Sequence, residues 1–109
     1  MIYLACPYSH YSGTVRNNRF LSATHAAVYL MEVHKEAVFS PITHSHPMNE
    51  LGISGDFATW IEMDLSILSL CSKLVVLKLD GWEKSIGVAT EILEAQRLSI
   101  SIEYLDWKF

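Results

Sequence analysis

The alternation of apolar segments along the chain predicts an α/β fold: a small flavodoxin-like or Rossmann-like three-layer sandwich, with helices on both faces of a parallel sheet. Four short apolar runs alternate with three segments of helical spacing, in the order β-α-β-α-β-α-β, which is typical of parallel sheets. The run at residues 74–77 is apolar throughout, as in a strand buried on both faces. We expect about four strands in the order 2-1-3-4, in a single domain over residues 1–109.

The predicted strands are short apolar runs that end at turn residues. The first run stops at Cys6-Pro7 and the second at Ser40-Pro41. In the last run, apolar and polar residues alternate, so one of its faces is expected to be wetter. The four runs are Ile2–Ala5, residues 37–39, residues 74–77 and residues 100–104.

The predicted helices have apolar residues at intervals of three and four positions. The first covers residues 15–34 and follows a polar loop at residues 9–14. Asp56 is the expected cap of the second helix. Ser85 is the expected cap of the third helix, which runs to about Arg97.

Two connections between these elements are expected to line the functional site. In open parallel sheets, ligands bind beyond the carboxyl ends of the strands, where the strand order reverses. The loop at residues 6–14 and the turn at residues 80–85 fall at this place. Residues 42–55, which include Pro47 and two glycines, are predicted to form a long loop, and such loops are often lids.

The composition limits the classes of function. Twelve acidic residues against eight basic ones give a formal charge of −4 and a pI near 5.6, so a nucleic-acid polymer is not an expected partner. Charged residues are only 18% of the chain, which favours a homodimer or higher homo-oligomer that covers apolar surface. The aromatic tail at residues 107–109 is either an oligomer contact or a cover for the core. With no membrane-length apolar run, no leader and two isolated cysteines, we expect a cytoplasmic protein without membrane contact.

Two carboxylates fall where apolar residues are expected. Helical spacing from Trp60 puts Asp64 on the apolar face of the second helix. Glu91 stacks with Val88 near the sheet-facing side of the third helix. A buried carboxylate is costly unless something binds it. A backbone cap or an arginine pair would explain Asp64, and a salt bridge at the rim would explain Glu91. The functional alternative for both is catalysis.

The start of the third helix is a candidate anion site. Ser85 and Gly87 open this helix, whose unpaired N–H groups and positive dipole end suit a phosphate. A plain serine cap is the simpler interpretation. Arg16 and Arg19 are two of only three arginines in the chain and begin the first helix. They are candidates for a phosphate or carboxylate clamp, with solvated surface arginines as the alternative.

Histidine and aromatic side chains supply further candidates for substrate binding. His44 and His46 have a spacing that occurs at metal sites, but no cysteine pair or nearby Asp completes one. We therefore expect these histidines to touch substrate from a loop and expect no metal, with a metal site as the minor alternative. Tyr8, Trp60 and Trp82 are candidates for stacking on a base, although single aromatics more often belong to a core.

Three motifs in this order resemble the nucleoside 2-deoxyribosyltransferase-like superfamily, which includes the small 2′-deoxynucleoside 5′-phosphate N-hydrolases. They are Ile2–Ala5, the segment DLSILSLCSKLVV at residues 64–76, and the segment SIGVATEILEA at residues 85–95. The segments at residues 40–47 and 81–85 are similar to an uncharacterised phage and bacterial branch of that superfamily. The resemblance extends from the first strand to the third helix.

The resemblance implies roles for individual residues. Glu91 corresponds to the catalytic glutamate that attacks the anomeric carbon, and Asp64 to a second carboxylate that contacts the sugar or assists base departure. Tyr3 is similar to the tyrosine that orients the glutamate. Ser85 and Gly87 match positions that hold the sugar 5′ end or its phosphate. Sites in this superfamily are generally completed across dimer interfaces.

The expected function is cleavage or transfer at the N-glycosidic bond of a nucleoside or nucleoside 5′-monophosphate, with no cofactor. A carboxylate stabilises the charge that develops on the sugar and can form a covalent glycosyl-enzyme. Hydrolase and transferase both stay open, as do nucleoside and nucleotide, because residues 6–10 replace the Gly-Ser loop of phosphate-binding members. The alternative is a non-catalytic nucleotide-binding or regulatory module on the same fold. A flavodoxin-like electron carrier is disfavoured, because that loop is no Ser/Thr-rich cradle for FMN.

Overall fold

The chain folds around a four-stranded parallel sheet, seen in a computed structural model that describes residues 1–53 and 57–108. The strands are β1 (Ile2–Ala5), β2 (Val38–Phe39), β3 (Lys73–Lys78) and β4 (Ser101–Asp106). They lie in the order β2-β1-β3-β4, and each neighbouring pair is parallel. The predicted α/β class and the strand order 2-1-3-4 are confirmed.

Helices pack on both faces of this sheet. Within the described residues they are α1 (Gly13–His34), α2 (Pro41–Glu50), α3 (Phe57–Leu68) and α4 (Ile86–Arg97), with a 3-10 turn at Trp82–Lys84 before α4. The Ser12 side chain caps α1, so this helix begins two residues earlier than its apolar spacing predicts. Ser85 caps α4 as predicted. The predicted cap of α3, Asp56, lies outside the described residues.

Residues 42–55 were predicted to be a loop, but residues 42–50 belong to the helix α2, so that prediction is wrong there and the described part of the chain has one helix more than predicted. The Ser40 side chain accepts a hydrogen bond from a first-turn N–H at 3.3 Å, and Pro41 follows at a position where its missing N–H costs nothing. Ile42 is buried against α1 in the core. This cap and this packing outweigh Pro47, which lies inside the helix.

Side chains of β1 alternate between two cores, one on each face of the sheet. Ile2 and Leu4 pack with buried alanines of α1 on one face. Tyr3 and Ala5 pack on the other face, with Leu68 of α3 and buried residues of α4. The period of two along a strand sends successive side chains to opposite faces. The result is the three-layer arrangement that the sequence predicts.

The topology places two connections side by side. β1 and β3 are neighbours, with Tyr3 in register with Leu74. The chain leaves β1 toward β2 on one side and leaves β3 toward β4 on the other. A crevice therefore opens at their carboxyl ends, between the loop after β1 and the turn after β3.

Of the two aromatic residues at the C-terminal end, the structure describes Trp107. Trp107 packs against the core on the α1 face, with its ring centroid 5.8 Å from that of Tyr29, so this residue covers the protein's own core. Phe109 lies outside the described residues. None of the helices in the described part combines the length and the apolarity that a membrane crossing requires.

Candidate functional site

A cavity of about 880 Å³ lies at the carboxyl ends of β1 and β3. Its walls come from the loop after β1, the first turns of α1 and α4, one face each of α2 and α3, and the turn after β3. Eight of the predicted site residues line it: Tyr8, Arg16, Arg19, Trp60, Asp64, Ser85, Gly87 and Glu91.

Glu91 is held in place by Tyr3. Glu91 is only 5% exposed and Tyr3 is fully buried behind it, and the Tyr3 hydroxyl donates a hydrogen bond to Glu91 Oε2. Burial and the neighbouring Glu91 charge raise the pKa of the Tyr3 phenol far above its usual value, so the phenol remains a neutral donor. This contact fixes the orientation of the Glu91 carboxyl group.

The surroundings of Glu91 disfavour its charged form. Burial raises the pKa of Glu91 to about 8, and the nearby Asp64 charge acts in the same direction. The hydrogen bond from Tyr3 acts in the opposite direction and lowers this pKa. At neutral pH, Glu91 is therefore mostly protonated in the unliganded protein.

Asp64 lies on α3 in the same cavity wall and is 8% exposed. Its Oδ1 atom is buried and has no hydrogen-bond partner among residues 1–53 and 57–108. Burial raises the pKa of Asp64 to about 6. Within that part of the chain no arginine pairs with this carboxylate, so an ion pair with arginine does not explain why Asp64 is buried.

Together the two carboxyl groups can carry acid–base chemistry. Two titratable groups whose environments separate their pKa values can divide the roles of acid and base. Because their charges interact, the two groups titrate as a coupled pair. Asp64 is the group that ionises first as the pH rises.

The N-terminus of α4 contributes a positive end to the cavity. Ser85 lines the cavity, and its hydroxyl accepts from Val88 N at 3.1 Å, so this side chain is an N-cap. Helix geometry leaves the first N–H groups of α4, at Ile86 and Gly87, without an intrahelical partner. Lys84 precedes Ser85 and also lines the cavity. This arrangement suits an anion.

The two arginines of α1 line the cavity but donate hydrogen bonds to its loops. Arg16 Nη1 donates to the carbonyl oxygen of His10. Arg19 Nη1 donates to the Ser9 carbonyl, and Arg19 Nη2 to the Asp80 carbonyl, each at 3.1 Å. Arg19 thus joins the loop after β1 to the turn after β3, so it acts as a brace of the cavity wall.

Gly81 makes room for the Arg19 brace. A Cβ atom at this position would lie 3.1 Å from Arg19 Nη2, and the backbone has φ +86°. Both the close approach and the left-handed conformation favour glycine.

Tyr8 links the cavity to a buried histidine. The Tyr8 hydroxyl is 2.7 Å from His46 Nδ1, and Tyr8 lines the cavity. His46 is 4% exposed, stacks on Phe20 at 4.3 Å, and has Nε2 3.8 Å from Glu50. His46 is not among the described residues that line the cavity, but it contacts the cavity-lining Tyr8.

Two other candidates are placed away from the cavity. His44 is exposed on α2, with its ring 6.1 Å from that of Phe39. Because α2 is a helix and not a loop, residues two positions apart point about 200° apart, so His44 and His46 do not converge. Trp82 packs on the Tyr104 ring at 5.6 Å. Across the described ranges, no three His, Cys, Asp or Glu side chains form a group that could hold a metal ion.

Several cavity residues were not predicted from the sequence. Ser45 and Asn49 of α2 line the wall and share a helix face through their spacing of four. Ser40-Pro41 is the signal that could have shown this helix and hence this face. Cys6, in the loop at residues 6–14 that was expected to line the site, also lines the cavity, but burial raises the pKa of its thiol to about 12, so it is a weak nucleophile.

Fold and site define a parallel α/β protein with two buried carboxyl groups in a cavity at its switch point. Over residues 1–105 the chain matches the family described as "Domain of unknown function (DUF1937)", and it belongs to that family. No curated protein matches the chain.

Proposed function

We propose that this protein cleaves or transfers the N-glycosidic bond of a nucleoside or nucleoside 5′-monophosphate, with Glu91 as nucleophile and Asp64 as assisting carboxylate. One observation carries the proposal: two buried carboxyl groups share one cavity, and Glu91 is oriented by Tyr3. The motifs that resemble the nucleoside 2-deoxyribosyltransferase-like superfamily give the same three residues these roles. The proposal also includes membership of that superfamily.

In the proposed reaction, a Glu91 carboxylate oxygen forms a bond to the anomeric carbon as the bond to the base breaks. The electron pair of the broken bond leaves with the base, which gains a proton with help from Asp64. Water or a second base then displaces Glu91 from the sugar, and this choice separates a hydrolase from a transferase. Tyr3 keeps Glu91 aimed at the cavity throughout.

The protonation states set the reactive form. Attack requires Glu91 as a carboxylate, and base departure is helped by a proton on Asp64. With pKa values of about 8 for Glu91 and about 6 for Asp64, the proton of the singly protonated pair lies mainly on Glu91. The reactive arrangement, with the proton on Asp64 and the charge on Glu91, is therefore the minor tautomer of the pair in the unliganded protein.

A nucleotide-binding module without turnover is the second candidate function. The raised pKa of Glu91 favours it, because a mostly protonated glutamate is a poor nucleophile at neutral pH. In this case Glu91 acts as a neutral hydrogen-bonding group in the ligand site.

The proposed working form is a homodimer or higher homo-oligomer. Apolar side chains on α1 are exposed, among them Val28 at 51% and Val33 at 55%. Sedimentation at tens of micromolar protein, about where weak interfaces assemble, should show a dimer or larger species. A monomer would contradict this part of the proposal.

The test of the proposed function is incubation with deoxyribonucleosides, ribonucleosides and their monophosphates, with free base followed by chromatography. Glu91→Gln is the inactive control, and Glu94→Gln is the matched control, because Glu94 lies on α4 in a surface pair with Arg97. Release of base by wild type and Glu94→Gln alone is the expected result. Binding without release would favour the module, and neither binding nor release would refute both candidates.

A further inference from the structure

Two buried polar atoms on α3 lack a hydrogen-bond partner in the part of the chain that the structure describes. Trp60 Nε1 is a donor and Asp64 Oδ1 is an acceptor, and neither has a hydrogen-bond partner within residues 1–53 and 57–108. Both residues line the cavity. Most buried polar side-chain atoms in native proteins are paired, so two exceptions in one cavity wall require an explanation.

The surroundings make the lack of partners more notable. Leu68, the next residue on this helix face, is fully buried and apolar. An apolar residue at position 64, or a phenylalanine at position 60, would remove the cost of leaving buried groups unpaired. The chain instead keeps a donor and an acceptor there, and this is the pattern of a site that a ligand completes.

The spacing of the two residues defines the complement that fits them. Residues four apart lie on the same helix face, with Cβ atoms about 5–6 Å apart, so the two side chains can converge on one atom. An indole N–H only donates, and an ionised carboxylate only accepts. A hydroxyl oxygen accepts one hydrogen bond and donates another, so a single hydroxyl group can pair with both.

We propose that Trp60 and Asp64 form a subsite for one sugar hydroxyl, which accepts from Trp60 Nε1 and donates to Asp64 Oδ1. Trp60 is then a specificity-determining hydrogen-bond donor and not a stacking platform for a base. The inference rests on the proposed function, in which the ligand carries a sugar whose anomeric carbon reaches Glu91. Asp64 is close enough to raise the pKa of Glu91, which is consistent with one sugar contacting both carboxyl groups.

Trp60→Phe tests the subsite because it keeps an aromatic ring and removes the N–H donor, together with part of the indole ring system. Trp107→Phe is the matched control, since Trp107 Nε1 is also buried and unpartnered in the described part but does not line the cavity. Each variant removes an unpaired buried donor, which favours stability, and also loses part of a ring, which opposes it, so the two variants should change the melting temperature by similar small amounts. This readout separates loss of a ligand contact from loss of structure.

Binding is measured by calorimetry in a Glu91→Gln background, so that the probes are not consumed. The probes are 2′-deoxyadenosine, 2′,3′-dideoxyadenosine and 2′,5′-dideoxyadenosine, with thymidine and its matching deoxy analogues. One of the sugar hydroxyl groups should matter for this contact. In the protein with Trp60, the probe that lacks this hydroxyl should bind about tenfold more weakly than the parent nucleoside, and in Trp60→Phe the difference should be less than about twofold. Trp107→Phe should behave as the background protein does.

The outcomes separate this inference from the proposed function. If wild type releases base but no hydroxyl deletion couples to Trp60, the subsite is refuted and the function stands. Coupling of Trp60 to a base amino group instead would also refute it. If no nucleoside or monophosphate binds, saturation-transfer NMR with 2-deoxyribose and ribose decides. Sugar binding that Trp60→Phe abolishes supports the subsite without the function, and no sugar binding refutes both.

Discussion

Glu91 and Asp64 lie in the wall of the same cavity, yet their surroundings differ in one respect. Glu91 receives a hydrogen bond from Tyr3, whereas Asp64 Oδ1 has no partner in residues 1–53 and 57–108. A partnered group has its orientation set before ligand arrives. An unpartnered buried group bears a desolvation cost that a ligand can relieve. In the proposed reaction, this difference suits Glu91 to an attack from a fixed position and leaves Asp64 Oδ1 for a contact with the ligand.

The basic residues of the cavity show the same contrast. Arg19 donates to two loop carbonyls, while Lys84 has no ion pair in the described part of the chain and also lines the cavity. We infer that Arg19 shapes the cavity and that Lys84 is available to an anionic ligand.

The largest expected effect is that of Glu91→Gln. The amide keeps the shape and accepts the Tyr3 hydrogen bond, but it cannot form the bond to the anomeric carbon. Turnover should fall by about four orders of magnitude or more, with ligand binding nearly unchanged. A 2-fluoro-2-deoxy sugar substrate should leave its sugar on the peptide that contains Glu91, as detected by mass spectrometry. A sugar on the Asp64 peptide would overturn the assignment.

Glu91→Gln should also change stability in a pH-dependent way. The folded-state pKa of Glu91 is raised from 4.5 to about 8, so the folded state binds more protons than the unfolded state between these values. Wild-type stability from this residue is therefore lost as the pH rises from about 4.5 to about 8. At pH 9 the melting temperature of Glu91→Gln should exceed that of wild type. The melting temperature of Glu94→Gln should show no such increase.

Asp64→Asn should have the second largest effect, a loss of about 100-fold in turnover, because an assisting acid–base group is removed. Its pH profile tests which carboxyl group is the nucleophile. With Glu91 as nucleophile, the remaining activity should rise with pH to a plateau. The apparent pKa of this rise should lie below about 8, since the Asp64 charge no longer raises the pKa of Glu91. Activity that falls as the pH rises would mean that Glu91 acts as the acid.

Tyr3→Phe removes the partner that distinguishes Glu91 from Asp64. The Tyr3 hydrogen bond lowers the pKa of Glu91, so its loss should raise that pKa further. A smaller carboxylate fraction should reduce turnover about tenfold at pH 7, the order of magnitude of one lost hydrogen bond, with partial recovery at pH 9. Equal losses at both pH values would show that Tyr3 has a structural role only.

Much of the fold could be predicted from the sequence because its signals are local. A continuous apolar run such as residues 74–77 is typical of a strand in a parallel sheet that helices cover on both faces. The helix α2 was not predicted, because Pro47 and two glycines indicate a loop and outweighed the local start signal at Ser40-Pro41. The packing of Ile42 against α1, which also favours the helix, is a tertiary contact without a local signature.

The site was predictable to a different degree. Helical spacing gives the faces of Asp64 and Glu91, since both helices form as predicted. The pairing of Tyr3 with Glu91 joins residues 88 positions apart, and only the resemblance implies it. The use of Arg19 as a brace depends on where two loop carbonyls meet, and residue type alone does not encode that position.

Lys84→Ala and Arg19→Ala are expected to show the smallest effects and to extend the comparison to the basic residues. If Lys84 contacts a phosphate, its removal should weaken monophosphate binding about fivefold and leave nucleoside binding unchanged. If Arg19 is a brace, its removal should weaken both ligand classes by a similar factor of about three to five, because both cavity-lining loops lose an anchor. Calorimetry with a nucleoside and its monophosphate on each variant measures the two ratios. If Arg19→Ala weakens only the binding of the monophosphate, Arg19 is a phosphate ligand. A side chain with hydrogen-bond partners in the protein would then also contact the ligand, and the contrast between Arg19 and Lys84 would be wrong.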